Sequence, residues 1–163
     1  MGWRGINIDA TPGSMKPFRE CRPRDINIEA AVSNQNEKLR YFVFRDGALN
    51  TFDSELGEER KKNGWPLVQE VSLETVTLKS ILEAQIPKET EIDFMSVDAE
   101  AFDLKVIQSN DWSKFRPKYI LIEIFSENLE EGFKSPEAQY LMAQGYQVHS
   151  KLLYTWFFER KSF

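Results

Sequence analysis

The chain has 163 residues, and its 41 % apolar and 29 % charged content is the balance of one soluble globular domain with a proper core, expected over 1–163. A net charge of −5 argues against general nucleic-acid binding, which carries a basic excess, and no run approaches the roughly 18 apolar residues of a membrane helix. The start, MGWRGINID, lacks signal-peptide regions, and Cys21 as sole cysteine excludes an internal disulfide and a cysteine-based zinc site, so a reducing, cytoplasmic setting is expected.

Residues 3–9, WRGINID, predict a strand ending at Asp9. Thr11 and Pro12 then read as the cap and first residue of a helix over 12–21, with Met15 and Phe18 inward and Pro17 moving its start or kinking it. After a turn at 22–25, residues 26–32 predict a second strand ending at Ser33, and the alternating 39–44, LRYFVF, a third. Residues 45–66 have no apolar periodicity and contain the charge run 58–62, EERKK. A loop of that length is either a substrate-side lid or a mobile insertion, and both readings stand.

Residues 67–73 return to strand-like sequence, and 78–85 predict a helix with Leu78, Ile81 and Leu82 on its apolar side, ended by Pro87. The apolar run 92–97 meets three acids, Asp98, Glu100 and Asp103, and passes into an amphipathic segment with Phe102 and Val106 at helical spacing. Residues 119–125, YILIEIF, read as a strand buried on both faces, interrupted near its end by Glu123. A helix over 136–144, stopped at Gly145, leads to two strands, 146–151 and 155–161, whose short link makes them an antiparallel hairpin. This alternation predicts an α/β domain with a mainly parallel sheet and no internal repeat.

Ligands of open α/β sheets bind outside the carboxyl ends of the strands, which draws attention to Asp98, Glu100 and Asp9. Each has a second reading as an acid that caps the following helix. Asp9 could hold a ribose, yet the chain contains neither GxGxxG nor GxxxxGK[ST]. His149 is the only histidine and lies on a polar strand face, which reads as surface. The tryptophans read as core or boundary, with Trp65 the one to examine for ligand contact, and the Arg19, Arg22, Arg24 cluster as a solvated helix end.

The segments GWRGINIDATPGSMKPFRECRPRDINIEAAVS, VTLKSIL, IDFMSVDAEAFDLKVIQSNDW and RPKYILIEIF, in this order and spacing, resemble the FkbM family of S-adenosylmethionine-dependent methyltransferases. The closing GYQVHSKLLYTWFFERK is similar to that fold's terminal hairpin. The resemblance implies a Rossmann-like methyltransferase sheet, mostly parallel with a C-terminal antiparallel hairpin, with S-adenosylmethionine as cofactor. It implies methyl transfer to a hydroxyl of a sugar or related small metabolite. By the same resemblance, Asp9 holds the cofactor ribose, and Ala31, Val32 and Ser33 lie beside the adenine. Asp98 and Glu100 stand near the transferred methyl group, and Glu123 faces the acceptor. Asp98 or Glu123 would then remove the hydroxyl proton, while a metal held by Asp98, Glu100 and Glu123 is a less favoured alternative.

Two departures accompany the resemblance. The family's first strand and glycine-rich loop would lie upstream of Met1, and Ala101 stands where the family usually has glycine, although alanine fills αR and does not readily fill a positive-φ turn. A sheet lacking that strand has two unpaired edges, which neighbours or a second copy would cover, making a homo-oligomer an expectation. The rival reading is a non-catalytic remnant of the fold serving as an interaction domain. Neither a nucleic-acid nor a membrane partner is expected.

Overall fold

The structure, a computed structural model, describes residues 2–87 and 90–161. The expectation that turns on Met1 lies outside them. Strand β1 (Ile6–Asp9) crosses through helix α1 (Met15–Cys21) to a parallel partner, β2 (Ile26–Glu29), with Asp9 opposite Glu29. α1 starts later than the pattern predicts. Pro17 thereby falls in its first turn, where a missing N–H leaves no hydrogen bond unmade. Ser14, not Thr11, occupies the cap position.

The predicted strand 26–32 is divided. The Ala30 amide donates to the Asp9 carbonyl, and the chain then leaves for another sheet. There β3 (Ala31–Val32) runs parallel to β5 (Leu67–Val76), which is antiparallel to β4 (Lys38–Phe44). Residues 45–66 are largely ordered. A 3₁₀ turn at Gly47–Leu49 and helix α2 (Ser54–Lys62) fold back onto β4. Asp53 caps α2 by accepting from the Leu56 amide, and Arg60, Lys61 and Lys62 complement the dipole at its other end. A side chain at Gly57 would come within 2.6 Å of the Phe42 ring, so the glycine lets the helix lie directly on the strand.

Helix α3 (Leu78–Gln85) has the predicted bounds, capped by Thr77. The remaining elements are β6 (Phe94–Val97), α4 (Asp103–Gln108), β7 (Tyr119–Glu123), α5 (Leu129–Lys134), α6 (Pro136–Ala143), β8 (Tyr146–Leu152) and β9 (Thr155–Arg160). They make a four-stranded sheet of order β6-β7-β9-β8, parallel at β6–β7 and antiparallel elsewhere. Ile107, Ile120, Ile122, Leu141, Tyr146, Trp156 and Phe158 are wholly buried between this sheet and α4 and α6. Short α5, which the pattern does not predict, is capped by Asn128 and crosses Trp156 at Gly132, where any side chain would strike the indole.

The fold is therefore mixed α/β, in three hydrogen-bonded groups of strands rather than one sheet. Antiparallel pairing is not confined to the C-terminal hairpin, because the inserted β4 adds a second source of it. Among the described residues, β1 and β6 are not hydrogen-bonded to each other. Their edges meet through side chains: Ile6 and Ile8 share an apolar cluster with Met95, Leu82 and Phe115, and the half-exposed rings of Trp3 and Phe94 lie 5.7 Å apart. No helix among the described residues is long and apolar enough to cross a membrane.

Candidate functional site

The parallel register of β6 on β7 sets Val97 opposite Ile122, so the next residues, Asp98 and Glu123, emerge side by side at the carboxyl ends of the two strands. Asp98 is exposed and Glu123 half-buried. Burial, and then the charges of Asp98 and Glu100, hold the Glu123 carboxyl above its ordinary value.

The turn that follows β6 is unusual in its backbone. Glu100 and Ala101 both have positive φ, 47° and 75°. Asp103 spans them from inside: its Oδ1 accepts the Ala99 amide at 3.1 Å. With only 8 % of its surface exposed, Asp103 is pushed up to about 6, chiefly by burial. From outside, Thr51 Oγ1 donates to the Glu100 carbonyl at 2.8 Å, and Arg60 pairs with the Glu100 carboxylate at 2.7 Å while also donating to the Leu49 carbonyl. Glu100 thus reaches the site with its charge largely matched by Arg60. Since a left-handed alanine costs about 1–2 kcal/mol and glycine about nothing there, Ala101→Gly is expected to raise unfolding stability by up to about 1 kcal/mol in urea titration, after glycine's entropic penalty.

Asp9 is exposed at the end of β1, and its Oδ1 accepts the Thr11 amide at 2.6 Å. The capping reading is therefore realised at one oxygen, on a turn rather than a helix. Its Oδ2 has no hydrogen-bond partner among the described residues and faces solvent. Beside it, buried Tyr41 shares a 3.0 Å hydrogen bond with Thr11 Oγ1, which also accepts from Asn50 Nδ2. Burial raises the Tyr41 hydroxyl, opposed by its bond to Thr11, and the charges of Asp9 and Glu100 both reach it. Tyr41 therefore stands between the two strand-end turns.

Ala31 and Ser33 are buried, Val32 half-buried. The Ser33 hydroxyl donates to Glu37 and Asn34, holding the turn into β4, so it faces the protein rather than a ligand. No three metal-ligating side chains converge among the described residues, Asp98, Glu100 and Glu123 included. His149 is exposed, with its ring beside Ser150. Trp65 and Trp3 are surface residues, whereas Trp112 and Trp156 are core. Arg19 and Arg22 pair with Glu29 and Asp25.

Tyr41, Asn50, Thr51 and Arg60 complete the site without having been singled out for it in the sequence, and Asp103, one of the three acids after the 92–97 run, braces the turn from within. Arg60 lies in the charge run 58–62, within the segment read as a lid or a mobile insertion. The one available signal was Asp53 before a segment ending in three basic residues, the mark of a capped helix.

A mixed α/β scaffold with carboxylates at the ends of adjoining parallel strands is the arrangement in which α/β enzymes bind ligands. The family model for the methyltransferase FkbM domain matches residues 1–148, and the chain belongs to this family. No curated protein and no solved structure matches it. The family implies S-adenosylmethionine, and Asp9 fits its ribose: an exposed strand-end carboxylate with one oxygen fixed by its own turn and the other open.

Proposed function

We propose that this chain is an S-adenosylmethionine-dependent methyltransferase acting on a hydroxyl oxygen of a sugar or related small metabolite. Family membership supports the reaction class, since members generally use this donor. The observation that carries the acceptor chemistry is that Asp98 and Glu123 follow the last registered pair of β6 and β7, Val97 and Ile122, with the Glu123 carboxyl raised.

When bound, S-adenosylmethionine supplies an electrophilic methyl group. Asp9 would hold its ribose hydroxyls through the open oxygen, and the 31–33 backbone would flank its adenine. Glu123 is the candidate general base. A carboxylate raised toward neutrality accepts a hydroxyl proton more readily than an ordinary one, and such bases contribute about 10²–10⁴-fold. Asp98 sustains that raised value by its charge and can orient the acceptor hydroxyl by accepting from it. Glu100, paired with Arg60, shapes the turn rather than taking a proton.

The same reading takes 1–163 as one methyltransferase-like domain acting in the cytoplasm, with a second copy covering strand-edge backbone that the side-chain contacts between β1 and β6 leave without a ladder among the described residues. Light scattering on the purified chain is expected to return a dimer mass, and a monomer at high concentration would remove the second copy from the reading. The reaction is tested with methyl-labelled S-adenosylmethionine and a panel of sugars and small alcohols. Label appearing as an acid-stable ether on a hydroxyl is expected, and label on nitrogen or carbon instead would overturn the O-methylation assignment.

A further inference from the structure

We propose that the inserted segment from β4 through α2 is a strut that holds the two halves of the site in register, with Asn50, Thr51 and Arg60 as positioning residues. The inference rests on the methyltransferase reading only for its consequence in catalysis. Its structural basis is independent. The Asp9 turn follows β1 and the Asp98–Glu100 turn follows β6, and no strand ladder joins β1 to β6 among the described residues. Apolar side chains of β1 and β6 share one cluster, and an element that hydrogen-bonds both turns adds a directional constraint on their spacing that this packing does not supply.

Two adjacent residues reach opposite ways. Asn50 Nδ2 donates to Thr11 Oγ1 in the turn after β1, at 3.0 Å, and Thr51 Oγ1 donates to the Glu100 carbonyl in the turn after β6, at 2.8 Å. Both are anchored to the strut itself. Asn50 Oδ1 accepts the Phe44 amide at 2.8 Å, and the Thr51 backbone exchanges hydrogen bonds with Phe42. Tyr41 repeats the first grip on Thr11, and Arg60 repeats the second through the Glu100 carboxylate, with its other nitrogen on the Leu49 carbonyl. Each turn is thus held twice, by groups that share one short, well-packed segment. Asn50 and Thr51 are buried, and the Arg60 side chain is only 15 % exposed, so these are fixed rather than wandering contacts. The positive-φ backbone at Glu100 and Ala101 gives the outer grip something to hold, because a strained turn relaxes when released.

A strut transmits; a local brace does not. Hydrogen exchange read by mass spectrometry on the ligand-free chain separates the two. Arg60→Ala and, as a milder change that retains shape, Thr51→Val both act on the 98–102 side. The strut predicts faster exchange there and also in residues 9–14 across the site, by fivefold or more, with exchange in the β7–β9 core unchanged. Arg60→Lys, which keeps the charge beside Glu100, is expected to restore part of the protection at both turns. In the methyl-transfer assay the same variants are expected to lower kcat tenfold or more with little change in acceptor KM, since misaligned groups lose rate before affinity. Exchange that quickens only at 98–102 would overturn the strut, as would parallel quickening of the β7–β9 core. If cross-site exchange appears while the unaltered chain transfers no methyl group, the strut stands and the functional reading falls. Methyl transfer by the unaltered chain without cross-site exchange has the opposite meaning.

Discussion

Glu123→Gln is expected to lower kcat for methylation of the best acceptor by about 10²–10⁴-fold while leaving the fold intact. The amide matches the carboxyl in shape but cannot take a proton. Glu123 is half-buried and makes no hydrogen bond among the described residues that the substitution would break. The same logic gives Asp98→Asn a distinct signature. Burial and the Glu100 charge still raise Glu123, but the contribution of the Asp98 charge is gone. The alkaline plateau of the pH–rate profile is therefore reached at lower pH in Asp98→Asn than in the unaltered enzyme. Rate profiles of the two variants over pH 4–9 check both statements. A Glu123→Gln enzyme that retains full kcat would take the base role from this residue.

Asp103→Asn is expected to stabilise the protein at pH 7 by roughly 1–2 kcal/mol, with the gain vanishing in acid. The Asp103 carboxyl titrates at about 6 in the fold, against about 3.9 in an unfolded chain. Between those values the native state binds the extra proton, so stability falls as pH rises through that window. The contribution of the protonated form is fully present below about pH 4 and lost above about pH 6. A shift of this size corresponds to about 3 kcal/mol. Asparagine keeps an oxygen for the Ala99 amide, but its own buried N–H₂ and the loss of a negative charge at the start of α4 reduce the gain. Urea unfolding at pH 4 and pH 7 measures this directly. The prediction is contradicted if the difference between variant and parent is the same at both values.

How much of this was legible in the sequence depended on the range of the interactions involved. Local pattern located α3, α6, β7 and the hairpin closely: α3, β7 and β9 bury apolar faces of their own, Gly145 stops α6, and a short link closes the hairpin. Asp98 stands out in the sequence as a strand-end acid, a local pattern, and Glu123 through the family resemblance. Their adjacency, however, depends on the β6–β7 register, which no single segment contains. The change of sheet at Ala30 was hidden for the same reason: the last rung of the β1–β2 ladder, the Ala30 amide on the Asp9 carbonyl, joins positions 21 apart. Residues 45–66 looked irregular because α2 packs on β4 through a glycine rather than an apolar stripe. Arg60 was masked by charged neighbours, and only Glu100, far along the chain, gives it a partner. The family's usual glycine at position 101 agrees with the positive φ that Ala101 adopts.

The central claim is that these strand-end turns hold S-adenosylmethionine. Calorimetric titration of the purified chain with that compound tests it most directly. The account predicts saturable heat with a dissociation constant below about 1 mM, weakened about tenfold by Asp9→Ala through loss of the open carboxylate oxygen, about 1.4 kcal/mol. No heat and no thermal shift at millimolar S-adenosylmethionine would contradict it, and would leave the chain as a member of the family that keeps the fold without the donor.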